Sequence, residues 1–176
     1  MKFCSGCGSL LPNKHIPAGD TKERYVCTCC HLIHYQNPRN VVGTIPILGE
    51  SILLCKRAIE PRRGYWTLPA GFMECGETIE ECALRETWEE ANAKVKLGAL
   101  FSMQSVPKVG QVHFFYLAEL SQNGFSAGHE TLAVALFNED NLPWEHIAFT
   151  TVSRTLKHFF SDRKKGAFHF HSGCID

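Results

Sequence analysis

Three carboxylates, Glu86, Glu89 and Glu90, crowd one side of the stretch Gly71 to Ala93, GFMECGETIEECALRETWEEANA, which opens on a glycine loop and Glu77. At about 100° per residue they fall within an arc of roughly 100° on a helix. Glu86 and Glu90 also form an i,i+4 like-charge pair, which costs an isolated helix roughly 0.2–0.5 kcal/mol. A hard divalent cation reverses that sign. Carboxylate oxygens suit Mg²⁺ or Mn²⁺, and Mg²⁺ takes one or two of them together with water and substrate phosphates. The plainer reading of an acid-rich helix is a solvated charged face. The loop ahead of it weighs against that: Leu68-Pro69-Ala70-Gly71-Phe72 reads as a buried strand end breaking into a turn, where the Gly71 carbonyl could join a metal site.

A second constellation lies at the N-terminus. Cys4 and Cys7, then Cys27 and Cys30, form two C-x2-C knuckles nineteen residues apart, a spacing suited to a tetrahedral four-thiolate zinc site. The residues between them, including Asn13, Pro17, Gly19 and Asp20, are polar and turn-forming, so bound Zn²⁺ would contribute their folding energy. Cys29 competes with its neighbours for the second knuckle, and symmetry with the first favours Cys27 and Cys30; His31 and His34 are spare candidates. Four thiolates leave no open coordination position, so the ion would be structural. Two disulfides are the alternative, and they suit a reducing compartment poorly.

The elements that must position these groups follow from pattern. Thr78 and Glu81 form a capping box, and Ile79, Ala83, Thr87 and Ala91, with Leu84 and Trp88 beside them, give a stripe that can face a core. Val41 to Leu48 and Ser51 to Lys56 read as strands around Gly49-Glu50, followed by a short strand at Tyr65 to Leu68. Lys94 to Met103, Val112 to Leu120 and Leu132 to Phe137 read as further strands, and Ala148 to Asp162 as a closing amphipathic helix. Ala167 to His171 reads as a final edge strand with outward-facing histidines. Strands around helices predict an α/β sandwich over residues 35–176, preceded by a metal ribbon over residues 1–34.

Composition bounds the function. Lys plus Arg and Asp plus Glu are 18 each in 176 residues, a zero formal charge that argues against a dedicated nucleic-acid binder. No apolar run approaches the ~20 residues of a bilayer span, and Met1-Lys2-Phe3-Cys4 does not open a signal peptide. Nine cysteines, an odd number unevenly spread, fit reduced thiols and a cytoplasmic protein better than a secreted disulfide scaffold.

Gly71, Glu77, Arg85, Glu86, Glu89 and Glu90 stand at the spacing G-x5-E-x7-R-E-U-x-E-E-x-G-U, where U is apolar, and the stretch therefore resembles the Nudix box. Thr87 replaces an apolar residue and Asn92 the final glycine; Asn is the best non-glycine residue for a left-handed helix end. The resemblance implies the Nudix α/β/α sandwich with a mixed sheet. It also implies Mg²⁺- or Mn²⁺-dependent hydrolysis of the diphosphate bond in a small nucleoside-diphosphate derivative. Glu86 and Glu90 are then the leading metal ligands, Glu89 the third, and the Gly71 carbonyl completes the site. Arg85 orients the carboxylates with Glu77 as its partner. The general base is either a box glutamate such as Glu89 or a downstream loop acid, here Glu130 with Glu139 behind it; relatives often carry a second acid where this chain has Ala133. Together with the zinc ribbon and the Tyr35-Gln36-Asn37-Pro38 linker, the box resembles a subgroup containing ADP-ribose and FAD pyrophosphatases, with NADH pyrophosphatases more distant. Substrates of that kind release AMP. Pro107 resembles a proline of ADP-ribose pyrophosphatases, whereas the S-Q-P-W-P-F-P-x-S run of NADH pyrophosphatases is absent. Phe72, Phe101, Phe114 and Phe115 are aromatics that could stack on a base, although strand aromatics belong more often to the core. A homodimer is expected by resemblance alone. The alternatives are an NADH- or NAD-type pyrophosphatase and a catalytically idle Nudix domain that senses a ligand.

Overall fold

A computed structural model describes residues 1–11, 13–121 and 124–176; Pro12, within the turn-forming insert, lies outside the described residues. The chain divides into two compact units, Met1–Asn37 and Pro38–Asp176. The first holds an antiparallel three-stranded sheet of β1 (Lys14–His15), β2 (Arg24–Val26) and β3 (Ile33–His34). Among the described residues its hydrophobic cluster is Cys4, Leu11 and Cys27 with Tyr25 against them.

The second unit runs β4 (Arg39–Leu48), β5 (Ser51–Arg57), β6 (Trp66–Thr67), β7 (Ala70–Phe72), α1 (Ile79–Ala91), β8 (Val95–Val106), β9 (Gln111–Leu120), β10 (Thr131–Phe137), α2 (Thr150–Lys165) and β11 (His171–Cys174). The sheet order is β10-β5-β4-β9-β8-β11, with β6 on β5 and β7 on β4. It is mixed, because β4/β9 and β8/β11 are parallel and the other pairs antiparallel. Two-residue periodicity makes it the middle layer of a sandwich. Ile52 and Leu54 of β5 pack with Val152, Leu156 and Phe159 of α2. Leu53 and Cys55, on the other face, pack with Ala91 of α1. The mixed α/β sandwich read from the sequence is the fold found.

Thr78 caps α1, its hydroxyl accepting from the Glu81 N–H while the Glu81 carboxylate accepts from the Thr78 N–H. Asn92 ends the helix in the left-handed conformation at φ 45° and ψ 31°. The buried face of α1 is rotated from the stripe read in the sequence. Cys82, Ala83, Glu86, Thr87, Glu90 and Ala91 are buried, whereas Leu84 and Trp88 are exposed, Trp88 at 47%. Glu86 and Glu90 thus lie at the centre of the inward face. Thr87, standing where an apolar residue was expected, donates to the Ala83 carbonyl (2.7 Å) and accepts from the Thr44 hydroxyl (2.6 Å), so its burial leaves no hydroxyl unmatched.

The final strand also differs from expectation. It spans His171–Cys174, parallel to Ser102–Ser105. The segment before it is held elsewhere: the His169 N–H donates to Asp162 Oδ2 (2.9 Å) and Phe168 stacks on Phe159. His171 does not face outward. Its Nε2 lies 2.8 Å from Asp162 Oδ2 and its ring stacks on His158. No helix among the described residues is long and apolar enough to cross a membrane.

Candidate active site

Arg85 is the hub of the acidic helix. Its guanidinium grips Glu77 with two bonds, Nη2 to Oε1 at 2.7 Å and Nε to Oε2 at 3.0 Å. Nη1 donates to Glu86 Oε1 (2.7 Å) and Glu89 Oε2 (3.1 Å), and Nη2 also reaches the Phe72 carbonyl (3.2 Å). The planar five-donor fork is what allows one residue to hold three carboxylates and the glycine loop together. Glu77, with Arg85 as the main cause, is held down at about 2.

Glu90 has no share in that cation. It is 9% exposed, its Oε2 accepts from the Ala70 N–H (3.2 Å), and burial is the main cause that pushes it up to about 8. Glu86 is equally buried and is also raised, again by burial first. Its carboxylate occupies the space over Gly71 that a Cβ would fill. Three carboxylates (Glu77, Glu86, Glu89) therefore share one arginine while Glu90 stands apart from it, and the buried pair, Glu86 and Glu90, favours either a proton or an added cation. Among the described residues the only set of three or more ligand atoms within 4.8 Å of one another is the N-terminal cysteine cluster. The helix acids form no closed shell by themselves. Such an open arrangement suits Mg²⁺ or Mn²⁺, which keeps waters and takes substrate oxygens.

The segment bearing Glu130 is fastened to the end of α1. Ser126 and Gly128 N–H groups donate to the terminal carbonyls of Ala91 and Glu90, both at 2.9 Å. A Cβ on Gly128 would collide with the Glu89 carbonyl. Asn92 Nδ2 donates to Ser126 O (3.3 Å), Ser126 Oγ (3.2 Å) and Ala127 O (3.3 Å), so the residue standing in for glycine also clamps the loop. The result brings Glu130 near enough for its charge to raise Glu90, while Arg57 acts in the opposite sense. Glu139 is elsewhere, paired with Lys164 at 2.7 Å beyond the far end of β10, about 20 Å of strand from Glu130.

A cavity of about 480 Å³ opens beside Gly71, lined by Phe72, Arg57, Arg62, Gln111, His113 and the start of α2 at Thr150 and Thr151, among others. Arg57 is braced by the Pro61 carbonyl (2.8 Å) and the Phe149 ring (5.1 Å). Of the four candidate stacking aromatics, Phe101 and Phe115 are core residues, although Phe115 also reaches the cavity wall, and Phe114 packs against the Val42–Cys82 cluster. Phe72 alone is substantially exposed (46%), with Arg39 over one face at 4.5 Å. Pro107 opens a 3₁₀ turn whose Val109 lines the cavity. Arg57, Arg62, Gln111 and His113 had no spacing signature in the sequence. Period-2 alternation groups Gln111 and His113 with Phe115 on one face of β9, but puts Arg57 with Leu53 and Cys55 on the other face of the sheet, so it could not have brought them together.

In the first unit the Sγ atoms of Cys4, Cys7, Cys27 and Cys30 lie within 4.8 Å of one another. Two of the spacings, Cys7–Cys27 at 3.5 Å and Cys4–Cys30 at 3.6 Å, approach the roughly 3.8 Å of a tetrahedral shell with Zn–S near 2.3 Å. The Gly6 and Cys30 N–H groups donate to Cys4 and Cys27 Sγ. Within the clustered thiols the Ser9 hydroxyl, first among several hydrogen bonds, draws Cys7 down, whereas the neighbouring sulfurs push Cys30 up. Cys29 is exposed and, like His31 and His34, lies outside the cluster. Purified protein is expected to contain one Zn²⁺ per chain by atomic absorption, and Cys27→Ser to lose it together with the protease resistance of residues 1–37. Zinc-free protein that is equally resistant would remove the structural role.

Residues 37–159 match the family described as NUDIX domain, and residues 2–36 match the zinc-ribbon family described as Nudix N-terminal. A crystal structure of a NUDIX hydrolase from Nitrosomonas europaea is similar over 99% of both chains, with TM-score 0.95 and 49% identity. An ADP-ribose pyrophosphatase from Methanocaldococcus jannaschii is 34% identical over 62% of this chain and 67% of its own length. An NAD-capped RNA hydrolase from Chromobacterium violaceum is 28% identical over 89% of this chain, which spans only 57% of that relative.

Proposed function

The chain belongs to the NUDIX hydrolase family, and from that premise we propose that it hydrolyses the diphosphate bond of ADP-ribose or FAD, releasing AMP. The observation that carries this reading is the buried Glu90, bonded to the Ala70 N–H, where Ala70 and Gly71 line a cavity that also presents Arg57, Arg62 and Phe72. Glu86, Glu90, Glu89 and the Gly71 carbonyl would hold Mg²⁺ or Mn²⁺, which when bound would supply charge neutralisation at the diphosphate and a water of lowered pKa. Arg85 fixes the orientation of Glu86 and Glu89 and is itself oriented by Glu77. Arg57 and Arg62 meet the phosphate oxygens. Glu130 takes the proton from the attacking water, because Arg85 already engages the Glu89 carboxylate.

ADP-ribose is favoured by the likeness to the archaeal pyrophosphatase, which covers two thirds of that protein. NADH or NAD⁺ is the second reading, favoured by relatives whose match extends through both units of this chain. The test is a panel of ADP-ribose, FAD, NADH and NAD⁺ with Mg²⁺ or Mn²⁺, scored for AMP release. The highest kcat/KM is expected for ADP-ribose or FAD. Dominant turnover of NADH or NAD⁺ would select the second reading, and absence of AMP from all four would leave a ligand-sensing domain.

A further inference from the structure

The cavity wall on β9 carries one polar chain that the hydrolytic chemistry does not use. Strand periodicity sets Gln111, His113 and Phe115 on the same face, and all three line the cavity. Phe72, Val41 and His113 stand in register on β7, β4 and β9. Two strand spacings, about 10 Å, therefore separate the glycine loop from His113. A nucleotide whose phosphates sit at Gly71 has its nucleoside portion to place along this row.

His113 is buried and pinned at both nitrogens, Nδ1 to Thr151 Oγ1 at 3.0 Å and Nε2 to Gln111 Oε1 at 2.9 Å. Burial draws it down to about 4, so near neutrality the ring has one N–H and one lone pair. A carboxamide oxygen can only accept, so Nε2 carries the proton. Nδ1 must then accept, and the Thr151 hydroxyl donates to it. The directed chain Thr151 to His113 to Gln111 engages the Gln111 oxygen and leaves the NH₂ group of this cavity-lining residue outside the chain. Most of the surrounding wall (Val41, Val106, Phe115 and the open face of Phe72) is apolar.

We propose that Gln111 is a specificity-determining residue, donating from its amide to a ring acceptor of a planar base stacked on Phe72, with His113 and Thr151 as its positioning residues. The assignment rests on the hydrolase reading for the kind of ligand, a nucleotide, and adds which edge of the base is read. Adenine supplies such acceptors at its ring nitrogens. A donor in an apolar wall discriminates by the penalty of leaving it unmatched.

The experiment measures AMP binding by calorimetry, which needs no turnover, and KM and kcat on whichever dinucleotide the wild type cleaves. Gln111→Leu is expected to weaken AMP binding and raise KM about 10-fold with kcat changed less than about 2-fold. Gln111→Glu, isosteric but unable to donate when ionised, is expected to weaken both at least as much. Thr151→Val is expected to give a smaller loss that Thr151→Ser restores. AMP binding that is undetectable in the wild type, unchanged in Gln111→Leu, or retained in Gln111→Glu overturns the assignment. A wild type that binds AMP in a Gln111-dependent way yet cleaves no dinucleotide would instead refute the hydrolase reading and leave the base contact standing.

Discussion

Glu90→Gln is expected to lower kcat roughly 10³-fold, the equivalent of about 4 kcal/mol of lost charge stabilisation, while making the metal-free protein more stable above pH 8. The two effects share one cause. Burial first, then the charges of Glu86 and Glu130, raise Glu90 from 4.5 to about 8. A carboxyl whose folded pKa exceeds its unfolded pKa contributes its stability in full below 4.5 and loses it as pH rises through 8. Glutamine cannot ionise and suffers no such loss. The variant should therefore match the wild type near pH 4 and exceed it at pH 9 by on the order of 2–4 kcal/mol. Urea unfolding followed by tryptophan fluorescence reads this directly, because Trp66, Trp88 and Trp144 all lie in the second unit. Adding Mg²⁺ at pH 9 should stabilise the wild type and leave the variant nearly unmoved. Equal stability at pH 9, or an unchanged kcat, would show that Glu90 is neither an ionised burden nor a ligand.

That destabilising burial explains which parts of the molecule could be read from sequence. The acid spacing, the Thr78 capping box and the left-handed Asn92 are local features, each decided by residues within a turn or two, and each is present in the fold. The inward face of α1 was not local. Ile79, Ala83, Thr87 and Ala91, with Leu84 and Trp88 beside them, suggested an apolar stripe; Ala83, Thr87 and Ala91 are buried, yet Leu84 and Trp88 are exposed while Glu86 and Glu90 are buried. A pattern that places hydrophobic residues inside mispoints the helix where chemistry requires acids inside. The same limit hid the cavity. Arg57, Gln111 and His113 come from strands that meet only through the β5–β4–β9 order, a non-local arrangement with no spacing signature. The C-terminal strand was displaced from its expected position for a related reason, since Asp162 and Phe159 on α2 claim His169 and Phe168 first.

Two glycines separate the needs of the fold from those of the chemistry. A Cβ on Gly71 would run into the Glu86 carboxylate, the far end of a flexible side chain, and Gly71 is not in the left-handed region, so its backbone accepts alanine. Gly71→Ala should therefore cost less than about 1 kcal/mol of stability. Glu86, however, must leave the position where Arg85 holds it at 2.7 Å, and kcat should fall about 10²–10³-fold. A Cβ on Gly43 meets the Pro69 carbonyl and Ala70 instead, backbone and Cβ atoms of the strand paired beside it. They cannot swing aside, so Gly43→Ala should cost about 1–3 kcal/mol. Its effect on kcat at a temperature where it stays folded should be the smaller of the two, because the shift falls on β7 as a body rather than on one ligand. Melting temperature and kcat measured on both variants give the comparison. If Gly71→Ala lost stability as Gly43→Ala does and kept its kcat, Glu86 would be a packing residue, and the metal would have to be held by Glu89 and Glu90 without it.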